Sequence, residues 1–96
     1  MENKKIIKDD EKEVLKSQIT RKQYRKNLIK HIGNQILNIS KEQNISLSEL
    51  STECRVPERF INWWIDGKGK VYLDMLCKIC LKYNKELIIT IQDTDK

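Results

Sequence analysis

The chain has 96 residues, 39% of them apolar, which is enough for one domain whose modest core folds without disulfide or metal staples. Its net charge of +5 matters through its distribution, because Lys16, Arg21, Lys22, Arg25, Lys26, Lys30 and Lys41 fall in one run that holds no acidic residue. Taken alone, such a run is a solvated helix face; beside a nucleic-acid-binding motif it attracts polyanions. Residues 1–8 are polar and lysine-rich around Ile6 and Ile7. They are too short for a signal sequence or a membrane span, so no membrane association and a cytoplasmic, nucleoid-associated location are expected. Asp9 or Asp10 suits the cap of a short helix reaching Ser17. Thr20 and Gln23 have the spacing of a capping box, and Ile19 and Tyr24 that of a hydrophobic staple, so a long helix is predicted from near Arg21. Tyr24, Leu28, Ile32, Ile36 and Ile39 keep one apolar face along it to about Gln43.

From Ser46 to Gly67 the chain reads as two short amphipathic helices around a tight turn, a spacing that makes the second helix project while the first braces it. Ser46 and Glu49 form a capping box, and Leu47, Leu50 and Cys54 make an inward stripe. Arg55 and Val56 fall in the turn. Pro57 suits the first position of the second helix, where its fixed φ is already helical and its missing N–H costs nothing. In that helix Ile61, Trp64 and Ile65 face inward, leaving Glu58, Arg59, Asn62 and Trp63 outward to meet a partner. Asp66-Gly67-Lys68-Gly69-Lys70 reads as a flexible loop with no apolar anchor. Leu73, Leu76, Ile79, Cys80 and Tyr83 then return at helical spacing as the last wall of the core. Residues 86–92 are rich in β-branched side chains, with Leu87, Ile89 and Ile91 alternating to one side, which predicts a strand. Only Lys5 to Lys8 offers it a partner within one molecule. Pairing with the same strand of a second subunit, through Leu87, Ile88, Ile89 and Ile91, is the more economical arrangement.

Cys77-x-x-Cys80, with Cys54 and His31, has the residue types of a zinc site. The two cysteines sit inside a continuous helical pattern, however, and Cys54 and Cys80 stand where small apolar residues pack, so a core role is expected and no metal or other cofactor. There is no second histidine, no glycine-rich phosphate loop and no evident pair of cleft carboxylates, which argues for a non-enzyme.

The pattern Ile32-Gly33, Leu50-Ser51, Val56, Ile61, Trp64, Gly67, Leu73 to Leu76, Ile79 and Tyr83 resembles the five-helix Cro/CI-type (Xre-like, lambda-repressor-like) helix-turn-helix domain of phage and bacterial repressors, over about residues 28–84. The resemblance implies an all-α domain preceded by a basic helical extension (1–27) and followed by a dimerisation strand and tail (85–96). It places Glu58, Arg59, Asn62 and Trp63 at the base-edge positions of the recognition helix. Lys68 and Lys70 fall in the loop that usually meets phosphates, joined as phosphate candidates by Ser46, Arg21, Lys22, Arg25 and Lys26. Arg55 replaces the usual turn glycine, and a left-handed conformation there costs on the order of 1 kcal/mol. Ser40 and Ile65 stand where the family often pairs arginine with glutamate, and losing both charges together leaves neither one buried alone. Some antitoxin repressors of this type carry a similar paired strand after the last helix. The function so implied is that of a dimeric transcriptional regulator, a repressor, with recognition helices roughly 34 Å apart on a palindromic site in double-stranded DNA. By its chemistry Arg59 suits guanine, Asn62 adenine, Glu58 cytosine and Trp63 a thymine methyl. Phosphate binding by Arg59 and packing by Trp63 are the structural alternatives. A different class of function stays open, since Phe60, Trp63 and Trp64 make this segment unusually apolar: a protein-interaction module, such as an antitoxin neutralising a toxin-like partner.

Overall fold

Residues 20–93 are described by the structure, a computed structural model, and every regular element among them is helical: α1 (Arg21–Gln43), α2 (Leu47–Cys54), α3 (Glu58–Ile65) and α4 (Leu73–Lys82). The short helix expected from Asp9 or Asp10 to Ser17 and the staple residue Ile19 lie outside the described residues, so the count among those described is four, not five. Thr20 opens α1 by accepting the Gln23 N–H on Oγ1 at 3.1 Å. Asn44 closes it in the left-handed region at φ 58°, where its short amide side chain is tolerated. The helix is continuous through residues 27 and 28, so the expected boundary between extension and domain falls inside one element.

The inward face of α1 is rotated from the one its apolar spacing predicts but shares Ile36 with it. Ile29, Gly33, Ile36 and Ser40 are buried, whereas Tyr24 and Leu28 are exposed and Ile32 and Ile39 are flanking. Gly33 accounts for the rotation. A Cβ there would lie 2.5 Å from both Ile65 N and Trp64 C, so α1 meets α3 backbone to backbone along the one line where a side chain is missing. Buried Ser40 is satisfied within the helix, its hydroxyl donating to Leu37 O at 2.8 Å.

Both halves of the Ser46–Glu49 capping box form, at 3.0 and 2.9 Å. Arg55 ends α2 at φ 59°, ψ 43°, and its cost of order 1 kcal/mol is offset by the bonds it permits. Val56 N–H reaches Ser51 O at 3.0 Å, and the Ser51 hydroxyl donates to Val56 O at 2.6 Å. Helix α3 starts one residue later than expected, at Glu58: Pro57 is the cap, its ψ of 134° non-helical and its carbonyl accepting from Phe60 N–H at 3.0 Å. Leu50, Ile61 and Trp64 are wholly buried and, with Val56, Cys54, Leu76 and Ile79, form the core around which the helix pair is set. Each large side chain so buried stabilises the fold by about 1.5–3 kcal/mol.

Two other expectations are corrected at the carboxyl-terminal end. Leu73, placed in the core by spacing, is 58% exposed, and Met75 takes the partly buried position beside Leu76 and Ile79. No strand forms over residues 86–92, because no sheet edge exists among the described residues to pair with it. The segment is instead tethered at its start. Lys85 N–H bonds Cys80 O and its ammonium meets Glu42 of α1, both at 2.7 Å. Leu87 and Ile88 then pass over an apolar groove of about 420 Å³ between α1 and α4, lined by Ile32, Ile36, Ile39, Leu76 and Ile79.

Candidate nucleic-acid interface

The outward side of α3 carries the four residues that its helical phase assigns there. Glu58, Arg59 and Asn62 are exposed, and Trp63 keeps 39% of its surface open. They are held differently. The Arg59 guanidinium lies over the Phe60 ring at 5.0 Å, a cation–π contact that leaves its outer edge to solvent. Trp63 meets Phe60 edge-on at 5.5 Å, and its indole also covers Gly69, where an added Cβ would approach the ring to 3.1 Å. Tyr72 meets Phe60 edge-on at 6.0 Å. Half-buried Phe60 is therefore the hub of an aromatic cluster, and Trp63 serves both as exposed surface and as packing. Nothing in the sequence pattern singles out Tyr72 as part of that surface, since it enters through the fold of the loop before α4.

That loop is not loose. Lys68 N–H bonds Trp63 O and Gly67 N–H bonds Trp64 O, both at 2.9 Å. The buried Trp64 indole donates to Lys70 O at 2.7 Å, and Arg25 Nη2 donates to Gly69 O at 2.5 Å. The expectation of a flexible loop is corrected for a specific reason: a buried indole N–H needs an acceptor, and here the loop backbone supplies it. Gly67 and Gly69, at φ 79° and 86°, let the chain turn back onto α1 and α3.

The loop gathers some of the basic candidates and leaves others apart. Lys22, Arg25, Lys26 and Lys68 line one open cleft of about 360 Å³ with Asp66 and Gly67. Lys70 borders a neighbouring cleft of similar volume with Arg25, Leu28, Ile29, Ile32, Val71 and Tyr72. Arg21 is exposed at the start of α1 and lines neither. Ser46 is exposed; its backbone N–H donates to Glu49 Oε1 and its hydroxyl oxygen accepts from the Glu49 N–H, which leaves only the hydroxyl proton to donate to a phosphate.

Away from this face, the Tyr83 hydroxyl donates to Glu53 Oε1 at 2.8 Å and joins the end of α4 to α2. Burial, followed by the bond to the Glu53 carboxylate, raises its pKa well above the ordinary tyrosine value. Burial likewise pushes up the thiols of Cys54 and Cys80. Cys54 is buried, Cys80 half-buried and Cys77 exposed, while His31 lies on the open side of α1. Among the described residues, no three His, Cys, Asp or Glu side chains come together where they could hold a metal ion. No helix among them is long and apolar enough to cross a membrane.

No protein-family model, curated protein or solved structure matches the chain.

Proposed function

We propose that the chain is a sequence-specific DNA-binding transcriptional regulator of the Cro/CI (Xre-like) type, a non-enzymatic repressor that acts as a dimer. The observation that carries this reading is the joint placement of an exposed α3 face and a basic cleft, with Lys68 of the loop after α3 brought beside Lys22, Arg25 and Lys26 of α1. Helix α3 enters the major groove and its Glu58, Arg59, Asn62 and Trp63 meet base edges. The flanking cations hold phosphates and set the register. The protein works in the cytoplasm on the nucleoid.

The tail supplies the dimer. Ile88, Ile89 and Ile91 are 72%, 66% and 97% exposed in a segment with no backbone ladder of its own, and pairing with its copy in a second molecule satisfies both the backbone and the side chains. The test is binding of the purified protein to the DNA upstream of its own gene at two salt concentrations, with random DNA as the control. A preference for the upstream fragment that weakens steeply as salt rises is expected. No preference at low salt refutes autorepression.

A second reading draws on the aromatic surface. Trp63 and Tyr72, 39% and 43% exposed around Phe60, fit a protein partner, which makes an antitoxin neutralising a toxin-like protein the alternative. A salt-insensitive complex with the product of an adjacent small gene, and no affinity for DNA, favours it.

A further inference from the structure

The cleft between α1 and the loop after α3 owes its shape to Gly67. A Cβ at that buried position would come within 2.7 Å of Lys30 Cγ and 2.9 Å of Lys26 Cγ, so the loop lies down on the lysine stems only because no side chain intervenes. This packing brings Lys68 alongside Lys22 and Lys26 around a single opening. Arg25 differs from them. Its guanidinium also lines the cleft, but one end is spent on Gly69 O, which makes it a strut from α1 to the loop. Four cations and the single carboxylate of Asp66 surround about 360 Å³ of open space, room for a phosphate group with some of its water. Gathering like charges is unfavourable in the empty cleft, and a bound anion relieves it.

We infer that Lys22, Lys26 and Lys68 form one seat for a single phosphodiester of duplex DNA, and that Arg25 is the positioning residue that holds the loop half of the seat against α1. The inference rests on the DNA-binding reading and deepens it. The early turns of α1 and the loop after α3 make the same backbone contact, not two separate ones, so the extension fixes the depth and register of α3 instead of lengthening the footprint.

The test is a coupling measurement on the full chain. Affinity for the upstream duplex is followed from about 50 to about 200 mM salt for the parent, Lys26→Gln, Lys68→Gln and the double variant. Each single change should lower the slope of log affinity against log salt by about 0.9, and the double change should also lower it by about 0.9, because one phosphate is lost in every case. Over that salt range this is a change of about 3.5-fold. A double variant that loses about 1.8 in slope, about 12-fold, has lost two phosphates and overturns the shared seat. In an Arg25→Gln background the two lysine losses should become additive with helix content unchanged. Persistence of the coupling there overturns the positioning role.

Should the parent bind no duplex at any salt, the DNA-binding reading fails first. The seat is then judged by titrating inorganic phosphate and following the amide resonances of Gly67 and Lys68. Shifts in the parent that vanish in Lys26→Gln keep an anion seat, and no shift in the parent removes it.

Discussion

Replacing Gly33 with alanine puts a methyl group 2.5 Å from Ile65 N and Trp64 C and 2.6 Å from Ile65 Cα, all of them backbone atoms that cannot swing aside. Ordinary contact begins at 3.4 Å, so α1 and α3 must separate by most of an ångström. In an open helix the same change would stabilise by up to about 1 kcal/mol, because alanine is the better helix former. Here overpacking costs about 1–3 kcal/mol. A gap of 0.5–1 Å opened elsewhere in the α1–α3 contact also forfeits roughly a quarter to a half of the dispersion energy of the separated atoms. The packing terms win, with a net loss of about 1–2 kcal/mol. For a domain of this size that lowers the melting temperature by roughly 5–15 °C. The assay is thermal and urea unfolding followed by far-ultraviolet circular dichroism, with Asn34→Ala, at an exposed position of the same helix, as the propensity control. A Gly33→Ala protein that melts at or above the parent temperature refutes the backbone-contact argument, as does equal behaviour of the two variants.

The turn between α2 and α3 gives the opposite sign. Arg55→Gly should stabilise the fold by about 1 kcal/mol by relieving the left-handed strain at φ 59°, read as a higher urea midpoint with unchanged slope. Tyr83, whose pKa is raised in the folded state by burial and Glu53, contributes stability that is fully present below the unfolded tyrosine pKa of about 10 and is lost as pH rises through its higher folded value. Tyr83→Phe should therefore cost about 0.5 kcal/mol at neutral pH and flatten the alkaline limb of the stability profile; an unchanged alkaline limb counts against the Tyr83–Glu53 hydrogen bond. Arg59→Ala should lose about 1–3 kcal/mol on the preferred duplex and less on random DNA, whereas Lys68→Ala should weaken both alike. Equal losses for both variants on both duplexes remove base reading from Arg59. Ile89→Asp with Ile91→Asp should convert the protein to monomer in sedimentation without lowering its melting temperature at high dilution; a dimer that survives both changes places the interface elsewhere.

Much of the local architecture was legible because its causes are local. The Ser46–Glu49 box acts across three residues, and the inward Ile61 and Trp64 follow from helical phase. Helix α1 begins at Arg21 and ends at Gln43, as its flanking residues suggest. The four outward residues of α3 were also assignable, since a helix that buries one stripe must expose the opposite one.

What only tertiary structure decided concerns groups far apart in the chain. The buried face of α1 passes through Gly33 because a neighbouring backbone fills the space a side chain would need, and no periodicity of apolar residues reports a missing side chain. The loop after α3 is held by Trp64 Nε1 and by Arg25, the latter 44 residues away from its acceptor, so composition alone made it look free. The same long-range ties select, from a scattered run of basic residues, the few that meet around Gly67. A β-branched tail likewise states a preference for extended backbone, but pairing belongs to the partner edge, and none is present among the described residues. Sequence thus settled what each segment can form by itself, while packing between segments settled which surfaces remain to meet another molecule.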